Sequence, residues 1–257
     1  MGVQGVFTKE LDSALLNNEA DIAVHSLKDV PIATAKGLTI AAVLERSAAQ
    51  DALIYKDKLP DSNSSFTVAT SSIRRKAQWL SRYPIHKTEN VRGNVETRIK
   101  KFLESDWDGL LMAKAAIERL NITDVPVIPL EWMLPAPAQG AIGVMCRHED
   151  EELKMILQQL NNTQTFSEVM AERQFLHELK GGCSAPISAL AEIRGGKMYF
   201  RGAVHNLTGT KIFTVTNTFE AVAWSYAGSL AAKEVMNSTT GSEILREIFA
   251  LRPDFSA

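Results

Sequence analysis

Cys183 sits in Lys180-Gly181-Gly182-Cys183-Ser184-Ala185-Pro186, after a stretch of helical spacing and before a strand-like one. Two glycines free the backbone ahead of the thiol, and a proline stiffens it three residues later. Such a turn can hold a sulfur out for covalent attachment or nucleophilic attack, although an ordinary loop cysteine shares the pattern. The other cysteine, Cys146, follows the apolar run Ala141 to Met145 and reads as a small buried hydrophobe.

Four more stretches carry chemical potential. His25-Ser26-Leu27-Lys28-Asp29-Val30-Pro31 places polar residues at the end of a strand, where ligands of α/β sheets sit. Thr70-Ser71-Ser72-Ile73-Arg74-Arg75 is a hydroxyl-rich turn opening a helix, suited to an anion. Arg92-Gly93-Asn94-Val95-Glu96-Thr97-Arg98 is a strand-to-helix turn with an arginine at its mouth. In Pro137-Ala138-Gln139-Gly140-Ala141-Ile142-Gly143, small residues would let backbone approach a ligand closely. Each has a plainer explanation. Lys28-Asp29 could be a surface ion pair, Arg74-Arg75 a solvated helix face, Arg92 a partner for a helix C-terminus, and Gln139-Gly140 a loop. Cations at three separate turns, Lys28, Arg74 with Arg75, and Arg92 with Arg98, tip the balance toward a ligand with several carboxylates or phosphates. The histidines lack metal-ligand spacing, and Trp107 and Trp132 read as packing residues.

Positioning these turns requires an alternating framework. Helical spacing at Phe7, Leu11, Ala14 and Leu15 precedes a strand at Ile22-Val24. Strands are expected over 39–43, 52–55, 66–69, 87–91 and 109–112, with helices over 73–82, 94–103 and through Ile117 and Leu120. That alternation implies parallel strands with crossover helices, an α/β class. Pro135-Ala136-Pro137-Ala138 reads as an extended hinge. Helices follow over 153–160 and 166–179. Beyond Cys183 come strands over 187–193, 198–204 and 212–219, the first two joined by an Arg194-Gly195-Gly196-Lys197 hairpin. Helices over 221–235 and 242–251 complete a small α+β domain.

At 257 residues the chain has room for two or three cores, and 45% hydrophobic with 23% charged residues is ordinary for a soluble globular protein. Two cysteines exclude a disulfide scaffold and point to the cytoplasm. Neither a membrane span nor a signal peptide is expected. A net charge of −2 argues against general nucleic-acid binding, so anion recognition must come from local arginine clusters.

His-Ser-Leu-Lys-Asp-Val-Pro, Thr-Ser-Ser-Ile-Arg-Arg, Val-Arg-Gly-Asn-Val-Glu-Thr-Arg, Ala-Gln-Gly-Ala-Ile-Gly and Gly-Gly-Cys-Ser-Ala-Pro occur here in the order found in the porphobilinogen deaminase family, also called hydroxymethylbilane synthase. The resemblance spans essentially the whole chain. It implies two periplasmic-binding-protein-like α/β lobes and a small C-terminal α+β domain. The boundaries expected are 1–44 with 141–158 for the first lobe, 50–134 for the second, and 163–257 for the C-terminal domain. It also implies a dipyrromethane cofactor on Cys183 through a thioether, and polymerisation of four porphobilinogen molecules with loss of ammonia to give linear hydroxymethylbilane. Asp29 matches the family's catalytic aspartate. Lys28, Asp29, Thr70, Ser71, Ser72, Arg74, Arg75, Arg98, Gln139 and Gly140 match cofactor-binding positions. Ser26, Arg92, Arg98 and Arg119 match substrate-binding ones. A monomer acting on a small molecule, with no metal, nucleic acid or membrane, is expected.

Two departures stand out. The family begins with a strand, helix and strand ahead of the loop in which this chain starts, so the first lobe is expected to be incomplete. The strands at Ile22-Val24 and Thr39-Val43 should then lack sheet neighbours. Gln4 also stands where the family commonly has lysine. The alternatives to the enzyme are a truncated inactive remnant and a non-catalytic two-lobed anion-binding module.

Overall fold

A computed structural model describes residues 6–182 and 185–250; Gln4 and Cys183 lie outside the described residues. In chain order the elements are α1 (Val6–Leu16), β1 (Ala23–Ser26), β2 (Leu38–Val43), β3 (Asp51–Tyr55), β4 (Thr67–Ala69), α2 (Ile73–Arg82), β5 (Lys87–Glu89), α3 (Val95–Glu104), β6 (Gly109–Ala113), α4 (Lys114–Arg119) and β7 (Val127–Pro129). They continue as β8 (Ile142–Arg147), α5 (Glu151–Leu157), α6 (Thr163–Glu178), β9 (Ile187–Arg194), β10 (Lys197–His205), β11 (Ile212–Glu220), α7 (Trp224–Asn237) and α8 (Thr239–Ala250). Side chains fix several helix starts. Ser72, Asn94, Asp150 and Asn162 accept from the backbone N–H three residues on, capping α2, α3, α5 and α6.

Two α/β lobes and a small α+β domain result. The first lobe's sheet runs β1-β8-β2, the second's β5-β4-β6-β3-β7, and the C-terminal domain's β11-β10-β9. Parallel pairing holds only where β4 meets β5 and β6. The other pairs are antiparallel, which corrects the expectation of a parallel framework. Two inter-lobe crossings explain the reversal: 44–50 delivers β3 and 130–141 delivers β8, each running against its new neighbours. The second correction concerns the first lobe. β8 lies between β1 and β2 and pairs with both, so neither strand lacks a neighbour.

In the second lobe the two-residue period of the strands sorts side chains to opposite faces. Ala52, Ile54, Leu110 and Met112 pack with Phe102 on one face, and Leu53 and Leu111 with Phe66 and Trp79 on the other. The hinge also departs from its expected form. Pro135 and Ala136 lie outside any regular element, Gln139 N donates to Ala136 O at 3.0 Å and Ala138 has φ 61°, so the chain turns over 137–140. The Gly195-Gly196 hairpin joins β9 to β10 as expected, both glycines with positive φ.

α6 is the spar of the molecule. Val169 enters the first lobe's core, while Ala171 and Phe175 enter the C-terminal domain's core. Packed on several sides, the helix also buries Glu168, Glu172 and Arg173. No described helix is long and apolar enough to cross a membrane.

Candidate active site

Asp29 is presented by a short loop held at both ends. β1 stops at Ser26, and one 3-10 turn, Leu27–Asp29, follows. Leu27 and Val30 are buried, and Leu27 N donates to Ala141 O at 3.0 Å. With its apolar flanks pinned, the loop leaves Lys28 largely buried at the cavity wall and Asp29 exposed beside it.

Opposite lies the start of α2. Thr70 Oγ1 accepts from Ser72 N at 3.2 Å, Ser72 Oγ accepts from Arg75 N at 3.4 Å, and Ser71 Oγ donates to Val91 O. Arg74 and Arg75 are both buried and both grip Asp51. Arg74 Nη1 donates to Asp51 Oδ2 at 2.7 Å, and Arg75 Nε to Asp51 Oδ1 at 2.8 Å. Burial alone would raise the Asp51 carboxyl; Arg74 and Arg75 overwhelm it and hold the group well below the usual carboxylate range. Asp51 therefore fixes the two guanidinium planes, and the cluster of two arginines with one carboxylate keeps a net positive charge. Arg74 Nε stays buried with no hydrogen-bond partner.

Gln139 bridges the lobes. Its Nε2 donates to Ala49 O at 2.8 Å and Asp51 Oδ1 at 3.0 Å. Its Oε1 accepts from Lys28 Nζ and Arg75 Nη2, each at 3.4 Å. Gly140, at φ 87°, crosses the other linker so closely that a Cβ there would stand 2.7 Å from Ser47 O. Both residues thus build the hinge beside the cleft.

Burial, reinforced by Arg75, pushes the Lys28 ammonium down to about 8. It carries its charge below that pH and sheds it above. The apparent KM for a carboxylate-bearing ligand should therefore rise between pH 7 and 9, by about tenfold if one charge-assisted hydrogen bond is lost. Lys28→Met should flatten that profile; an unchanged profile in the variant would remove Lys28 from ligand binding.

Lys28, Asp29, Ser72 and Arg74 line one cavity of about 540 Å³, together with Gly181, Gly182 and Ala185 on either side of position 183. Arg98 is not among the lining residues; it is half-buried, its guanidinium feels the charges of Arg75 and Asp29, and it donates to Gly93 O at 2.7 Å. Ser26 sits at the end of β1, and Thr70 is buried beneath the α2 turn. Arg92 and Arg119 stand on the exposed surface outside the cavity wall. Cys146 is fully buried.

Sequence reasoning missed the buried charges. Arg46 forks onto Glu172 at 2.6 and 3.1 Å, and Glu172 also accepts from Ala138 N at 2.6 Å and Ala191 N at 2.8 Å. One carboxylate so ties a linker, the hinge turn and the C-terminal domain together. Glu172→Ala leaves Arg46 and two N–H groups stranded, which should cost about 3–5 kcal/mol. Calorimetry should show Tm falling by roughly 10 °C; a shift of a degree or two would deny Glu172 this role. The available signal was three charged residues, Glu168, Glu172 and Arg173, among the apolar residues of one helix.

Two α/β lobes thus carry a cavity whose wall has more cations (Lys9, Lys28, Arg74, Arg173) than carboxylates (Asp12, Asp29), a balance that suits an anionic ligand. Comparison with known proteins is more specific. Residues 1–155 match the family model described as porphobilinogen deaminase, dipyromethane cofactor binding domain, and residues 166–236 match its C-terminal domain. The porphobilinogen deaminase of Desulforamulus reducens is 40% identical over 254 residues, covering 97% of this chain and 82% of that protein. That of Syntrophomonas wolfei is 39% identical over 251 residues, covering 96% and 82%. The probable porphobilinogen deaminase of Methanocaldococcus jannaschii is 48% identical over 190 residues, covering 73% and 65%. Among solved structures, an ancestral cationic amino acid solute binding protein aligns at TM-score 0.39 and 14% identity, covering 60% of this chain and 67% of that one. That likeness is too slight to bear on function. The chain belongs to the porphobilinogen deaminase family.

Proposed function

We propose that this chain is a hydroxymethylbilane synthase, joining four porphobilinogen molecules head to tail with release of ammonia, and that Asp29 is its catalytic carboxylate. The supporting observation is the cavity that gathers Asp29, Lys28, Ser72 and Arg74 beside the glycines preceding Cys183. The wall fits a dipyrromethane: cations outnumber carboxylates, and the unpartnered Arg74 Nε is a buried donor in need of an acceptor. Cys183 would hold the group by a thioether, with Lys28, Ser72, Arg74 and Arg75 meeting its carboxylates and Thr70, Ser71, Gln139 and Gly140 shaping the wall. When bound, it supplies a pyrrole α-carbon as nucleophile.

The chain's own residues then have distinct tasks. Arg98, with Arg92, Arg119 and Ser26 in supporting positions, holds the acetate and propionate of incoming porphobilinogen. Porphobilinogen reacts through its protonated aminomethyl group: as the C–N bond breaks both electrons go to nitrogen, ammonia departs and positive charge spreads over the pyrrole and its methylene, and the α-carbon that would bond to that methylene would give up its own proton. Asp29, the exposed carboxylate among these cations, stabilises that charge and accepts or returns the proton at the pyrrole nitrogen. Arg74 and Arg75, braced by Asp51, do not reorganise during the step.

Residues 1–44 with 141–158, residues 50–134 and residues 163–257 serve as the three units, supported by one sheet per unit among the described residues. The chain acts as a cytoplasmic monomer in this reading, which sedimentation checks, and its net charge of −2 argues against general nucleic-acid binding. Incubating the purified chain with porphobilinogen tests the activity. Consumption of porphobilinogen with stoichiometric ammonia is expected; binding without ammonia release would instead favour an anion-binding module.

A further inference from the structure

We infer that Arg173 is the positioning residue of the Asp29 loop, and that it sets Asp29 in register with the turn leading to Cys183. The inference rests on the reading of Asp29 as the catalytic carboxylate. Arg173 is buried, at 6% exposure, and its guanidinium fork reaches four carbonyls of the loop. Nη1 donates to Leu27 O at 3.2 Å and Val30 O at 3.0 Å, and Nη2 to Pro31 O at 2.7 Å and Ile32 O at 3.4 Å.

Among the described residues, few other backbone hydrogen bonds hold this loop between its buried flanks Leu27 and Val30. Beyond Ser26 it has left the β1–β8 ladder, which ends at the Ser26–Ile142 pair. Leu27 N reaches Ala141 O, Val30 N reaches Leu27 O at 3.3 Å, and Pro31 has no N–H to offer. Among the described residues, Arg173 therefore supplies more hydrogen bonds to the carbonyls of 27–32 than the loop's own backbone does. A planar fork with five donors can span carbonyls at both ends of a turn; an ammonium cannot. The carbonyl oxygens in turn satisfy the buried guanidinium.

Arg173 comes from α6, whose last turn ends at Glu178 and whose chain then reverses at Lys180, φ 48°, into Gly181 and Gly182. Helical rise puts the clamp roughly 7–8 Å from that end. Arg173, Asp29, Gly181 and Gly182 line the same cavity. One rigid helix, anchored in two cores by Val169 and Phe175, thus carries the loop clamp at one point and the approach to Cys183 at its end. A shift of α6 moves both together, so their spacing is kept.

The test uses the cofactor-loaded enzyme and its Arg173→Met, Arg173→Lys and Asp29→Asn variants. Whole-protein mass establishes loading; kcat, KM and amide hydrogen exchange over residues 27–32 are then measured. Arg173→Met should lose about 10²-fold in kcat through misplacement of Asp29. Its KM should stay within about threefold, since ground-state binding is untouched. Exchange over 27–32 should quicken while β1 and β8 stay protected, and Arg173→Lys should recover part of both effects. Added guanidinium should partly restore Arg173→Met turnover, which a general loss of stability would not allow. A folded Arg173→Met enzyme with parental kcat and parental loop exchange overturns the inference. Should that variant not fold, parental kcat and exchange in Arg173→Lys do the same. If Asp29→Asn keeps its turnover, the reading of Asp29 fails, while loop exchange still decides whether Arg173 clamps it.

Discussion

Cys183→Ala should yield a protein of unmodified mass that consumes no porphobilinogen. The parent should carry a dipyrrole adduct that maps to the peptide containing Cys183 and reacts with Ehrlich's aldehyde at its free pyrrole α-position. Of the two thiols, Cys146 is poorly suited: it is fully buried in β8, and burial, aided by Asp150, pushes its thiol up. A thiol held protonated is a weak nucleophile. Cys183 is bracketed by residues that line the cavity, Gly181 and Gly182 before it and Ala185 after it. The variant should also melt below the parent. Without the ligand's carboxylates, Lys28, Arg74 and Arg75 repel one another with less negative charge to offset them, and any group that binds the folded state alone stabilises it. An adduct that survives Cys183→Ala, or that maps to Cys146, would sink the assignment.

The elements were legible where a single signal decided them. Capping residues such as Ser72, Asn94 and Asn162 lie in the sequence at the helix starts they fix. The Gly195-Gly196 hairpin follows from its turn chemistry. Strand direction was not legible, because β8 reaches β1 and β2 only through a crossing between lobes, and no local pattern encodes that. β7 escaped for a related reason: Val127–Pro129 is three residues long and flanked by Pro126, too short to show a period.

The site divides in the same way. Asp29, Lys28 and the α2 turn announce themselves as polar residues at strand ends. Their supports do not. Asp51 opens an apolar strand and reads as its edge, yet it is fully buried between two arginines. Arg173 and Glu172 sit in a helix whose charges would ordinarily mark a solvated face. They are buried because α6 is packed by a lobe on one side and a domain on the other. Burial of charge is a tertiary property, and here it separates the residues that touch ligand from those that hold them in place.

Asp29→Asn should keep the cofactor and the fold yet lower kcat by about 10² or more, the loss expected for a preorganised electrostatic group. The substitution preserves shape and hydrogen-bonding reach, so neither size nor packing changes. Asp29 is exposed, and no described partner constrains the amide. What disappears is one negative charge whose field reaches both Lys28 and Arg98, in a cavity whose wall also carries Arg74. That charge matters most when ammonia departs and the pyrrole turns cationic, because the surrounding cations would otherwise oppose the step. The loss should therefore fall on kcat, with KM for porphobilinogen steady or lower, since removing a carboxylate also eases the approach of the substrate's own carboxylates. Asp29→Glu, which restores the charge about one carbon–carbon bond out of place, should recover only part of the rate. Single-turnover measurements on loaded enzyme separate chemistry from release. A loaded Asp29→Asn enzyme with near-parental single-turnover rate would move the stabilising charge to another group and leave Asp29 as a surface residue beside Lys28.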